Sequence, residues 1–206
     1  SEALQAAEGR LWDSYRDRYR QVLASRETVW LLAVFIVMLS VWSAFSVYLG
    51  AYLETELRAN ANATSLIFLV SGVCFAAGSL IVPRVIERVP KRRANVTFAT
   101  LLGINLLGAG VVYTSIPMVA VFVGVTALLG VSLYLTTGIL LLDSLPEARG
   151  AVMALQSAGS EVGLALGAAW GGAVLVASND NYVAVYRSLA FLLPVAMLCL
   201  MMSARS

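Results

Sequence analysis

One carboxylate interrupts the apolar run 150–177, and it is Glu161. Counted inward from Gly150 at 1.5 Å per helical residue, it would lie ~16 Å deep in a bilayer. An ionised carboxylate near the midplane costs at least ~2.5–3.5 kcal/mol, so a group placed there is expected to face a cavity or to take up a proton. Glu161 therefore reads either as a candidate proton-coupling or cation-recognising residue or as a structural carboxylate, protonated or paired to a neighbouring helix. Gly159, Gly163, Gly167 and Gly171 recur at four-residue steps along the same run and form a face that another backbone can approach closely. Glu161 points roughly 160–200° away from them, on a face with Ala154, Ser157, Ala158 and Ala165.

Two further apolar runs carry polar stripes. Ser40, Ser43 and Ser46 share one stripe of the run 29–53, with Trp42 and Tyr48 nearby, and Thr126, Gly130, Tyr134 and Thr137 follow helical spacing in the run 117–142. Trp42, Ser43, Ser46, Thr126, Tyr134 and Thr137 are accordingly the candidates for lining a solute cavity. Small hydroxylated residues are also ordinary glue between membrane helices, and each of them has that second reading.

Other chemistries lack their residues. The chain has no histidine, which removes histidine acid–base catalysis, Ser-His nucleophile activation and the usual zinc sites. It has no HExxH, no Gly-x-Ser-x-Gly and no paired intramembrane carboxylates, so a membrane-embedded enzyme is disfavoured, and no metal or cofactor is expected. Cys74 and Cys199 lie inside apolar runs without metal or redox spacing and read as small hydrophobes. A net charge of +2, with the basic residues confined to particular loops, does not suggest a nucleic-acid partner.

The elements that must position these residues follow from composition. Apolar residues make up 60% of the 206 and charged residues only 13%, with mean hydropathy +0.83, whereas soluble domains carry about a quarter charged. Six apolar runs, 29–53, 64–85, 94–114, 117–142, 150–177 and 182–202, each exceed the ~20 residues a helix needs to cross the hydrocarbon. They are continuously apolar, unlike the alternating strands of a membrane barrel. The expected fold is an all-α integral membrane domain of six transmembrane helices. The short links rich in Asn, Pro and Ser make neighbours antiparallel.

Twelve of the 14 basic residues then fall on one side: Arg10, Arg16, Arg18, Arg20, Arg26, Arg84, Arg88, Lys91, Arg92, Arg93, Arg149 and Arg205. Arg58 and Arg187 fall on the other. The positive-inside rule puts both termini in the cytoplasm, for a multi-pass protein of the inner or plasma membrane. Ahead of the first run, Leu11, Tyr15, Tyr19 and Val22 recur at helical spacing among arginines. Residues 1–28 thus read either as an amphipathic cytoplasmic linker that lies on membrane lipid or as a solvated charged linker with some helical content, with 29–206 as the transmembrane domain. The start at Ser1, without methionine or signal peptide, reads as that of a fragment or a processed product. Ser46 to Leu49 (SVYL) returns as Ser132 to Leu135 (SLYL) near the opposite membrane face, a weak hint of two inverted three-helix repeats.

The turn Pro83 to Arg93, PRVIERVPKRR, resembles the loop signature G-x-L-A-D-R-x-G-R-R of the major facilitator superfamily. Glu87 stands at the acidic position, Arg88 follows it, and Lys91 and Arg92 close the motif; both glycine positions are proline, Pro83 and Pro90. Tyr48 to Leu53 resembles the end of the seventh helix in drug-exporter-like members. Pro146 to Gly150, followed by the glycine-rich stretch 163–172, resembles the tenth-to-eleventh-helix turn and the eleventh helix. The resemblance implies the C-terminal six-helix half of a twelve-helix transporter, with residues 1–28 matching the central loop. It implies that the first and fourth spans line the cavity, and that Arg84, Glu87, Arg88 and Arg92 make cytoplasmic gating contacts. Asp143 and Arg149, on the same side, are their electrostatic partners. The expected function is secondary active transport of a small solute by alternating access, with proton-coupled efflux as its expected mode. The partner is an absent N-terminal six-helix half or a second copy. The alternative is a six-helix scaffold or assembly protein that transports nothing.

Overall fold

The computed structural model describes residues 16–109 and 115–204, and these are helical almost throughout. A short helical segment, 16–24, precedes six helices: α1 (Arg26–Thr55), α2 (Ala61–Ile86), α3 (Lys91–Leu107), α4 (Ile116–Ser144), α5 (Arg149–Ala177) and α6 (Tyr182–Ser203). Local signals set their ends. Ser25, Asn60 and Asn181 cap α1, α2 and α6, each side chain accepting from a backbone N–H three residues on, as short polar N-caps do. Pro117 sits in the first turn of α4, where its missing N–H costs nothing, and a single 3-10 turn, Pro146–Ala148, separates α4 from α5.

Among the described residues, five helices are long and apolar enough to cross a membrane, against six expected from sequence. The exception is α3. It spans 17 residues, opens on Lys91, Arg92 and Arg93, and carries Asn95 and Asn105. The outer part of its expected run, 110–114, lies outside the described residues, as do the amphipathic positions Leu11 and Tyr15.

The bundle is built around α1, which packs against α5, α6 and α4, while α2 packs on α4, and α3 on α4 and α6. The core is aromatic and aliphatic: Phe45 and Tyr52 meet Tyr186 edge-on, at 5.7 and 6.2 Å between ring centroids, and Leu31, Leu49, Leu53, Leu189 and Leu193 are buried along α1 and α6. The glycine face of α5 lies on α1. A Cβ at Gly163 would stand 2.8 Å from the carbonyl oxygen of Ile36, and one at Gly167 would collide with the backbone of Ser40. Only glycine permits this approach of two backbones. The hydroxyls of α1 complete the seam, Ser43 Oγ donating to Leu164 O and Tyr48 Oη to Ala168 O, both at 2.8 Å.

Candidate functional site

A cavity of about 130 Å³ opens between α1, α2 and α4. Phe35, Met38, Leu39 and Trp42 line it from α1, at the i, i+3, i+4, i+7 positions of one helical face; Phe75 contributes from α2, and Gly130, Leu133 and Tyr134 from α4. The walls are rings. Trp42 and Phe75 have centroids 5.9 Å apart, and Phe35 and Tyr134 5.4 Å. Gly130 makes room for the indole, since a Cβ there would stand 3.2 Å from the Trp42 ring. The site can hold an apolar or aromatic group against ring faces, with the Tyr134 hydroxyl as a polar handle.

Trp42 and Tyr134 thus line the cavity, and the hydroxyl candidates are placed otherwise. Ser43 is committed to Leu164 of α5, and Ser46, partly buried one turn beyond Trp42 on the same face of α1, is not among the lining residues. Thr126 donates to Phe122 O at 2.9 Å and accepts from Asn105 Nδ2 at 2.8 Å, tying α3 to α4. Thr137 accepts from buried Asn95 at 2.7 Å and donates to Met38 Sδ at 3.1 Å. The chain Asn95, Thr137, Met38 therefore holds a cavity wall from behind. Phe35, Met38, Leu39, Phe75 and Leu133 escaped the sequence reading; the spacing of the α1 four is a signal, yet in a helix that is apolar all round it does not single out one face.

Glu161 lies on the exposed face of α5, opposite the glycines, as its spacing predicts, and makes no ion pair with any described residue. Its height is fixed by the seam. Gly159 faces Leu32 and Ile36, and Gly163 faces Ile36 and Leu39, so Glu161 stands level with the part of α1 that reaches the cavity wall at Leu39.

At the basic end of the bundle the charges form two links. Arg92, at the start of α3, donates through Nη2 to Glu27 Oε1 at 2.6 Å and through Nη1 to Ser203 Oγ at 2.9 Å and Leu200 O at 3.2 Å. It joins α1 and α3 to the carbonyl end of α6, where the helix dipole favours a cation. Lys91 pairs with Asp143 at the end of α4. Thr28 and Ser144 share a hydrogen bond at 3.0 Å, which ties α1 to α4 beside these links. Arg84 donates to Leu80 O of its own helix, while Glu87, Arg88 and Arg149 are exposed and form no ion pair with described residues. Of the six charges singled out in the sequence, Arg92 and Asp143 are the two engaged between helices; Glu27, the partner of Arg92, was hidden in a charged prelude with no distinguishing spacing.

Among the described residues no cluster of acidic or cysteine side chains could hold a metal ion. No curated protein matches the chain. Residues 29–205 match the family model described as Major Facilitator Superfamily, a stretch that takes in the cavity and all six helices but for the first three residues of α1, and the chain belongs to that superfamily of membrane transporters.

Proposed function

We propose that this chain is one six-helix half of a secondary active transporter, in which a small solute binds in the ring-lined cavity between α1, α2 and α4 and is exposed alternately to the two sides. The observation that carries this is the cavity itself. It sits at the junction of α1 and α4, the two helices whose sequences bear the polar stripes, and its wall is braced from behind by buried hydrogen bonds. The other half of the binding site would come from an N-terminal six-helix unit or a second copy. The basic end lies in the cytoplasm under the positive-inside rule.

The packing pattern supports two inverted three-helix units. Exchanging α1, α2, α3 for α4, α5, α6 turns the α1–α5 contact into α4–α2 and the α1–α6 contact into α4–α3, and all four are major contacts of the bundle; α1–α4 and α3–α6 map onto themselves. Two such units give two equivalent packings that interconvert by rocking. Glu161, level with the cavity, is the coupling carboxylate, and taking up a proton relieves the cost of its charge in the membrane. The links from Arg92 to Glu27 and from Lys91 to Asp143 hold the cytoplasmic ends together in one state of the cycle.

The test is transport by the full-length protein in proteoliposomes with an imposed proton gradient, screened over a panel of small solutes. Glu161→Gln is expected to retain solute exchange and lose gradient-driven accumulation. Unchanged coupling in that variant would sink the assignment of Glu161, and no transport by wild type of any solute would favour the scaffold reading.

A further inference from the structure

The helical segment 16–24 is tied to the basic end of the bundle. Val22 is buried in the core, Tyr19 packs against the same cluster, and Gln21, Ala24 and Ser25 face Leu145, Pro146 and Glu147 across a cleft. Its outward side is of another kind. Arg16 and Arg20 are exposed on the same flank as Leu23, which is 61% exposed; Arg18 is exposed about half a turn round, and exposed Arg26 opens α1 immediately after.

None of these four arginines is in an ion pair among the described residues. Within 16–26 the single acid is Asp17, exposed among them; Glu27 is held by Arg92, and Glu147 lies exposed across the cleft. The basic residues of this stretch are all arginine, whose planar fork of donors suits phosphate oxygens better than the point charge of lysine. Guanidiniums without an ion pair among the described residues, two of them flanking an exposed leucine at the end of apolar membrane helices, match the boundary between headgroups and acyl chains. We propose that residues 16–26 form a binding surface for anionic phospholipid of the facing leaflet. Leu23 enters the acyl boundary, the arginines hold headgroup phosphates, and the buried Val22 and half-buried Tyr19 transmit that anchoring to the start of α1. The surface is independent of which solute is moved, or whether any is.

The test is thermal unfolding of the purified chain in neutral detergent, titrated with phosphatidylglycerol or phosphatidylcholine. Phosphatidylglycerol is expected to raise the midpoint by a few degrees more than phosphatidylcholine, and added salt to shrink the difference. A cation near an anionic surface contributes on the order of fivefold in affinity, so R16Q/R18Q/R20Q is expected to weaken the phosphatidylglycerol response on the order of 100-fold in lipid concentration. Arg187→Gln, at the other end of the bundle, should leave it unchanged. The difference between the two lipids is read within each variant, so a shift in a variant's own stability does not obscure it. Equal stabilisation by both lipids would overturn the proposal, as would selectivity surviving in the triple variant or the same shift from soluble glycerol phosphate.

Discussion

Trp42 and Tyr134 stand out among the side chains of the cavity because each joins a large ring to a polar atom. If solute binds there, Trp42→Ala removes a ring wall worth about 1.5 kcal/mol, and the transport KM is expected to rise roughly tenfold while the folded protein persists. Solute-uptake kinetics in vesicles check this; an unchanged KM would place the solute elsewhere. A second residue-scale expectation concerns Arg92. Its pair with Glu27 is partly exposed, so a double-mutant cycle on unfolding stability should give a coupling of at most about 1 kcal/mol. Arg92→Ala alone should cost more than Glu27→Ala, because it also strips the carbonyl end of α6 of its cation. These two residues mark the reach of the sequence. Trp42 and Tyr134 were legible because their polar atoms are conspicuous in apolar helices. Ser43, Thr126 and Thr137 were legible as polar but not as to direction, since a hydroxyl in a membrane helix meets a neighbour's carbonyl or amide as readily as a cavity. Glu27 was not legible, because the partner of a cytoplasmic charge depends on which helix ends are adjacent.

Among the helices, α5 shows how far spacing alone can carry. Four glycines four residues apart predicted a close backbone approach; the structure supplies the partner, α1, and leaves the opposite face with Glu161 exposed. Gly167→Ala puts a methyl into the backbone of Ser40 and is expected to lower stability by about 1–3 kcal/mol or more, whereas Ala165→Leu on the exposed face should be nearly neutral. Thermal midpoints in detergent distinguish the two, and equal effects would mean the seam is not as tight as it is drawn. The third helix is where the described residues stop short of the expected span. The helix begins with three cations, Lys91 to Arg93, ahead of the apolar run, and contains Asn95 and Asn105, whose amides are satisfied by Thr136 and Thr137 and by Thr126 of α4. The two asparagines of α3 are spent inside the bundle, which sequence shows only once the neighbour is known.

At the scale of the whole molecule, composition and loop charge were enough for an all-helical membrane protein with a basic end, because the bilayer leaves the backbone few other choices. They could not supply the packing of the helices or the cavity between α1, α2 and α4, which depend on which helix lies against which. The central claim is that this cavity opens to each side of the membrane in turn. The most direct measurement is labelling of Leu39→Cys and Tyr134→Cys, in a Cys74→Ala/Cys199→Ala background of the full-length protein, with a membrane-impermeant thiol reagent. It is applied to right-side-out and to inside-out vesicles. Alternating access predicts that both positions label from both sides and that reaction slows when a transported solute is present; labelling from one side only, or from neither, would contradict it.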